Sequence, residues 1–394
     1  MAYPKLSLLA GQDRRLRAGH PWIYANEVKM DADAKTLDPG APVRLTNAAG
    51  KAMAVAQFNP HSLIVARVMS RNQDVKIDAT FLERRLGRAL RLRDRLFDQP
   101  YYRLVHAEAD GLPGLVIDRF GKTLVVQANS AGMDRLKSEL VDAIERLLET
   151  DLIIFRNDSS ARRREGLELG VDVVKGAASG MVELLENGLT FFADPVEGQK
   201  TGWYFDQRDN RAFAASLARD ERVLDLFSYG GGFGIAALKA GAREALAVDR
   251  SEGALALAKA AAARNGVEQK LMSVREEGFA ALDRLGSEKQ RFGLVVVDPP
   301  SFVKSKRELK SGLKGYRKLT RAAASLVRDE GFLVVASCSH NVPVDLFRDE
   351  VRKGLSDAGR GGRLLRQSGA SADHPSHPML PESAYLKCLT YILD

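Results

Sequence analysis

From about residue 220 the chain alternates short apolar runs with helical periods, and nothing else in it constrains the fold as tightly. The pattern predicts strands at 222–228, 245–249, 271–274, 292–298 and 331–338, with helices near 233–241, 252–264, 276–285 and 316–328. Strict β/α alternation is satisfied by a parallel sheet whose crossover helices cover both faces. A helix near 343–356 and strands near 363–367 and 384–392 finish the chain, giving seven strands with the last expected antiparallel. The fold class is therefore α/β, with a Rossmann-like, doubly wound sheet.

The preceding residues read differently. Residues 1–75 hold short β-like runs between turn signals: 42–45, 53–58 and 63–68. They predict a small, mostly β domain. Residues 76–180 predict an α+β middle domain. It opens with an amphipathic helix over 81–97 that carries Arg84, Arg85, Arg88, Arg91, Arg93 and Arg95 around an apolar stripe of Leu82, Leu86, Leu90 and Phe97. A hairpin follows (115–118 with 123–128), then a helix near 134–149 and a strand at 152–155. Two strands near 181–192 begin a third domain, 181–394.

Composition narrows the class further. The 394 residues carry 59 basic and 51 acidic side chains, a formal charge of +8, which favours polyanionic partners such as RNA. Arg14, Arg15, Arg84, Arg88 and Lys304 are the basic residues read as phosphate contacts, with Lys306 and Arg307 beside them. The competing reading for the arginine helix is a solvated face. No run approaches the ~18 apolar residues of a membrane span, and the first twenty residues lack a leader-like apolar core. With only Cys338 and Cys388, a disulfide framework is not expected and a cytoplasmic protein is. The six histidines, including His374 and His377, show no zinc spacing, so no metal is expected.

Chemistry concentrates at the ends of the predicted strands. The first strand runs into Asp225-Leu226-Phe227-Ser228-Tyr229-Gly230-Gly231-Gly232-Phe233-Gly234, a turn that lets backbone approach a ligand closely. The second ends at Asp249, followed by Arg250, a carboxylate roughly 20 residues beyond the glycines and suited to a ribose. A nicotinamide dinucleotide could use that pair, but the G-x-G-x-x-A match at Gly232, Gly234 and Ala237 falls late, inside the helix start. Asp225 before the glycines better suits a cofactor with a free ammonium, such as S-adenosylmethionine. Glu277, after the third strand, is the candidate acceptor for an adenine amino group; a helix N-terminal acid is the plainer alternative.

The fourth strand ends in Asp298-Pro299-Pro300-Ser301-Phe302. Two prolines hold an extended loop, Asp298 can accept from a planar amino group, and Phe302 could stack on a base. The fifth ends at Cys338. A thiolate there could add to C6 of a cytosine and make C5 nucleophilic; the alternative is a small buried hydrophobe. His340 could be a base or a loop residue, and Cys388 reads as structural.

With these residues in place the chain resembles the bacterial ribosomal RNA large-subunit methyltransferase I family, which makes 5-methylcytosine in 23S rRNA. The likeness spans nearly the whole chain. It includes 20–24 (HPWIY), 108–114, 117–121, 163–166, Phe227-Ser228-Tyr229, Asp298-Pro299-Pro300 and Ser337-Cys338-Ser339; its most specific stretch is 197–208, EGQKTGWYFDQR. The resemblance implies an N-terminal PUA domain over 1–75, a class I methyltransferase fold over 181–394, and Lys200, Thr201 and Arg208 lining the cofactor or active site. Homodimers are known in similar proteins, so a dimer is expected. One departure stands out. Many RNA cytosine-C5 methyltransferases carry a second cysteine after the Pro-Pro, where this chain has Ser301. Related Asp-Pro-Pro families methylate guanine nitrogens, which keeps a guanine N-methyltransferase with inert Cys338 as one alternative. A non-catalytic RNA-binding or assembly factor is another, and a dehydrogenase a more distant one.

Overall fold

Ten strands, β1 to β10, build the first of two units into which a computed structural model divides the chain; it describes residues 3–178 and 180–394. That unit comprises Met1–Gly180, Asp194–Trp203 and Asp373–Pro381. Strands β1 (Lys5–Ser7), β2 (Trp22–Ile23), β3 (Ala41–Thr46), β4 (Ala52–Phe58) and β5 (Ala66–Ser70) form one sheet in the order β1-β3-β4-β5-β2. Val43, Leu45, Ala54, Ala56 and Phe58 fill its core. The apolar run 63–68 predicts a strand, but β5 starts only at Ala66. The Asn59 side chain accepts from His61 N at 3.1 Å and holds a turn there, with Leu63 left exposed.

The second sheet runs β10-β9-β8-β7-β6, from β6 (Tyr101–His106), β7 (Leu115–Phe120), β8 (Thr123–Ala128), β9 (Leu152–Asn157) and β10 (Gly170–Lys175). The arginine-rich helix spans Ala79–Leu96. Asp78 caps it, accepting from Phe81 N at 3.0 Å, and Phe81, Leu82, Leu86 and Ala89 pack onto this sheet with Ile117, Val126, Ile153 and Phe155. The helix predicted near 134–149 is broken into Ala131–Arg135 and Lys137–Leu147.

The second unit, Met181–Ala193, Tyr204–Ala372 and Glu382–Asp394, starts with a hairpin of β11 (Val182–Glu186) and β12 (Leu189–Ala193). Its sheet contains β13 (Arg222–Leu226), β14 (Glu244–Asp249), β15 (Leu271–Arg275), β16 (Phe292–Val297), β17 (Val327–Ser337), β18 (Gly362–Ser368) and β19 (Lys387–Leu393). Their order is β15-β14-β13-β16-β17-β19-β18. The first five are parallel and β19 runs antiparallel to both β17 and β18. Every residue of β16 is buried, which explains its unbroken apolar sequence: a central parallel strand has helices on both faces. Strand order reverses between β13 and β16, and ligands of such sheets lie off the strands' carboxyl ends at that point.

Among the described residues no helix is long and apolar enough to cross a membrane, and no group of three or more His, Cys, Asp or Glu is placed to hold a metal ion.

Candidate active site

The turn after β13 is conformationally unusual. Phe227 (φ +62°), Tyr229 (φ +48°) and Gly231 (φ +73°) all lie in the left-handed region. Two of them are bulky aromatics, and such strain persists where the surroundings over-determine it, often at ligand sites. The surroundings are visible. Asp249 Oδ2 accepts from Tyr229 N at 3.0 Å, and Asp225 Oδ2 accepts from Gly234 N at 2.8 Å. Phe227 in turn requires Gly278, whose Cβ would come within 2.4 Å of the Phe227 ring.

Asp225 is buried, forms no ion pair among the described residues, and its carboxyl is pushed up to about 7, chiefly by burial. A buried carboxylate without a counter-ion is costly until a cation arrives. The Ser228 hydroxyl is likewise buried without a hydrogen-bond partner among the described residues. Asp249 accepts a second backbone N–H, from Ser251 at 2.8 Å, yet each carboxylate oxygen keeps a lone pair for a ribose hydroxyl. These residues fit S-adenosylmethionine: an ammonium for Asp225, hydroxyls for Asp249 and a polar atom for Ser228. Arg250 is exposed, and its carbonyl accepts from Arg275.

Glu277 is exposed and caps the helix Gly278–Ser287: its Oε2 accepts from Phe279 N and Ala280 N. The helix-terminal role is therefore occupied, and Oε1 is the oxygen that remains for an adenine. Phe302 is half-buried, with its ring centroid 4.8 Å from Tyr316 and 6.2 Å from Phe279. Its ring neighbours are internal. Pro299 is buried, whereas Pro300 and Lys304 are exposed.

At the end of β16, Asp298 Oδ2 accepts from Gln207 Nε2 at 2.8 Å. Gln207 Oε1 accepts from Asn210 at 2.7 Å, and Asn210 Oδ1 accepts from Ser368 Oγ at 2.7 Å. This buried amide chain runs from the start of the helix Arg208–Ser216 to the edge strand β18. It has no sequence signature, since its partners lie 3 to 158 residues apart. Tyr204 belongs to the same group. Its ring meets Tyr229 edge-on at 5.3 Å, and its phenol is pushed up by burial first and then by the charges of Asp298, Asp206, Cys338 and Asp249.

Cys338 follows β17 and is partly exposed. A hydroxyl network flanks it: Ser337 Oγ donates to Tyr316 OH at 2.8 Å, and Ser339 Oγ lies 2.8 Å from both Tyr316 OH and Ser301 Oγ. Ser301, at the position after the Pro-Pro, thus helps fix the loop on the far side of Cys338. His340 is exposed and stacks on Tyr385 at 4.8 Å. Cys388 is buried, and burial pushes its thiol up to about 12, so it is inert.

The residues taken from the resemblance divide between the units. Arg208 is buried at the start of its helix, 3.9 Å from Glu186 and over the Phe205 ring. Lys200 (φ +51°) and Thr201 belong to the first unit, where the buried Thr201 hydroxyl donates to Asp118.

The basic residues also sort themselves. Arg93 is fully buried and bidentate to Asp110 at 2.7 and 2.9 Å, and Arg85 donates to Met69 O at 3.0 Å. Arg84, Arg88, Arg91 and Arg95 are exposed, form no ion pair among the described residues and fall four, three and four residues apart on one helix face. Arg14 is exposed. Arg15 pairs with Glu27 at 3.0 Å and lies over Tyr24.

The strained turn, its two acidic anchors and the strand order define a class I S-adenosylmethionine-dependent methyltransferase. A family model described as S-adenosylmethionine-dependent methyltransferase matches residues 162–360, and one for a PUA-like domain matches 6–71. The Ribosomal RNA large subunit methyltransferase I of Erwinia tasmaniensis is 38% identical over 389 residues, 97% of this chain and 98% of that protein. The chain belongs to the ribosomal RNA large subunit methyltransferase I family. A solved structure described as a SAM-dependent methyltransferase from Streptococcus mutans has the same fold, with TM-score 0.83 and 21% identity over 99% of this chain and 100% of that one. Another, of a methyltransferase complexed with SAH, gives TM-score 0.84 and 21% identity over 99% and 100%.

Proposed function

We propose that the protein methylates C5 of a cytosine in large-subunit rRNA, with Cys338 as the nucleophile and Asp298 orienting the base. The observation that carries this reading is the placement of Cys338 just past the carboxyl end of β17, partly exposed, beside the strand that runs into Asp298. S-adenosylmethionine, when bound, supplies the electrophilic methyl group that C5 takes up. The Cys338 thiolate adds its electron pair to C6, which makes C5 nucleophilic. Asp298, held by Gln207, accepts from the exocyclic amino group and fixes the ring. Once C5 is methylated its proton passes to solvent water, the C–H electron pair re-forms the C5=C6 bond, and the C6–S bond breaks with its electron pair returning to sulfur. Asp225, Phe227, Ser228, Tyr229, Gly230, Gly232, Asp249, Arg250 and Glu277 hold the cofactor in this reading, and Arg208 completes the site. The PUA-like domain with Arg14 and Arg15, the Arg84–Arg88 face and the exposed part of the loop at Pro300 and Lys304 hold the RNA. The protein acts in the cytoplasm as a homodimer, which sedimentation of the purified chain would test.

The test is transfer of tritiated methyl to RNA from cells lacking the protein, followed by nucleoside analysis. Label in 5-methylcytidine of the large rRNA, abolished in Cys338→Ser, is the expected result. Label in a methylguanosine with Cys338→Ser active would overturn the cysteine chemistry. No label in rRNA or in intact subunits would overturn the catalytic reading.

A further inference from the structure

Lys387 is a buried amine that the reaction as described does not use. It opens β19, opposite Ser337 in the antiparallel register with β17. Its Nζ donates to Ser339 O at 2.6 Å and to Tyr385 O at 2.7 Å. Among the described residues it forms no hydrogen bond to a carboxylate and no ion pair. Two carbonyls take two of the three ammonium N–H groups, and the bonds reach the residue directly after Cys338. An ammonium buried without a counter-anion is expensive, and residues of this kind are normally neutralised, paired or functional.

The surroundings indicate which. Burial pulls the Lys387 amine down to about 8, while the charge of Cys338 pulls it back up. Two phenols that feel the Cys338 charge, Tyr204 and Tyr316, are both pushed up mainly by burial and therefore neutral. Asp298 and Asp206 act on the Tyr204 phenol, and Cys388 beside Lys387 stays protonated. His340 and Tyr385 stack on one another at the loop mouth. A thiolate at Cys338, one residue before the carbonyl that Lys387 holds, would give this cation an anion.

We propose that Lys387 is the counter-ion of the Cys338 thiolate, favouring loss of the S–H proton to solvent and receiving the anionic sulfur again when the C6–S bond breaks. The inference rests on the cytosine-C5 reading. Lys387 acts through Cys338 and is a positioning residue.

The rival is a purely structural clamp that ties the loop after β17 to the segment before β19. Lys387→Gln separates the two, because a primary amide can still donate to both carbonyls but carries no charge. Cys338 alkylation by iodoacetamide, followed by peptide mass spectrometry on the ligand-free full chain across pH 6–10, reads the thiol directly. In Lys387→Gln the apparent thiol pKa should rise by about one unit or more, the shift a close opposite charge produces. The acidic limb of the methyl-transfer pH profile should move up with it, and Lys387→Arg should keep both near wild type. Alkylation profiles that coincide in wild type and Lys387→Gln, including two that both show no reaction, overturn the proposal. So does a Lys387→Gln rate that falls equally at every pH. Should Lys387→Gln not fold, a Lys387→Arg thiol pKa equal to that of the free amino acid would overturn it as well. Cys338→Ser turnover is scored separately: normal turnover there sinks the cytosine-C5 reading, whatever the alkylation shows about the ion pair.

Discussion

Gln207 donates its amide to Asp298 at 2.8 Å while accepting from Asn210 at 2.7 Å, so the Asp298 carboxylate, proposed to orient the base, is aimed by a residue 91 positions earlier in the chain. Both amides are buried, which keeps water from substituting for them. Gln207→Leu should lower kcat by about 10- to 100-fold, the scale at which orienting partners act. Cofactor affinity should stay near wild type, because Asp225 and Asp249 are untouched. Steady-state methyl transfer together with calorimetric binding of S-adenosylhomocysteine checks both halves. An equal loss in both would mean that the turn itself had collapsed.

The placement of Asp225, Asp249, Asp298 and Cys338 is legible in the sequence because each lies at or just past the carboxyl end of a strand whose apolar run is unmistakable, and strand ends are where α/β sheets bind ligands. Gln207, Asn210, Tyr316 and Lys387 are not legible. Their meaning lies in partners such as Ser368 or Ser339, 158 and 48 residues distant for Asn210 and Lys387, and a buried polar residue in sequence looks like a solvated one. The helix Arg208–Ser216 escapes sequence reasoning for the same reason: Arg208, Asn210 and Arg211 face inward there, Arg211 onto Glu186 at 2.6 Å. Arg93 shows the converse. It reads as one of six surface arginines, yet it is a core ion-pair residue.

Cofactor affinity should depend on pH through Asp225. With its carboxyl pushed up to about 7 by burial, the ligand-free protein is partly protonated there near neutrality, whereas an ammonium pairs with the charged form. Binding of S-adenosylhomocysteine should strengthen as pH rises to about 7.5 and weaken about tenfold per unit well below 7. Asp225→Asn should bind more weakly and without this slope. The same shift affects stability with the opposite sign. The folded protein keeps a proton that the unfolded chain has released, so this group's contribution is complete below the unfolded value of 3.8 and disappears as pH rises through about 7. Melting of the ligand-free protein between pH 4 and 7.5, set against Asp225→Asn, tests the direction.

Gly278 should be intolerant of any side chain, although it begins an ordinary helix. A Cβ would lie 2.4 Å from the Phe227 ring, and Phe227 already holds a left-handed backbone in the cofactor turn. A displacement of about 1 Å near a reacting centre can cost ~100-fold, so Gly278→Ala should reduce methyl transfer by 10- to 100-fold (an order-of-magnitude expectation on the same basis) with a weaker cofactor Kd. Gly286 is the control. It lies in the same helix with nothing within 4 Å of an added Cβ, and Gly286→Ala should be neutral or stabilising by up to about 1 kcal/mol. Equal behaviour of the two variants would remove Phe227 from the explanation.

Arg84, Arg88, Arg91 and Arg95 test the RNA-facing role of the first unit. They share one exposed face without ion-pair partners among the described residues, and removing them leaves the buried Arg93–Asp110 pair intact. Binding to a nucleic-acid backbone is recognised by salt. Each arginine that no longer neutralises a phosphate should flatten the slope of log affinity against log salt by roughly 0.7–0.9. Changing all four to Gln should therefore reduce the slope for rRNA fragments by up to about 3 and weaken binding broadly across sequences, with Tm unmoved and cofactor affinity unchanged. If the affinity and slope stay as in wild type, the stripe is a solvated face, and phosphate binding belongs to the PUA-like domain and the Lys304–Arg307 loop instead.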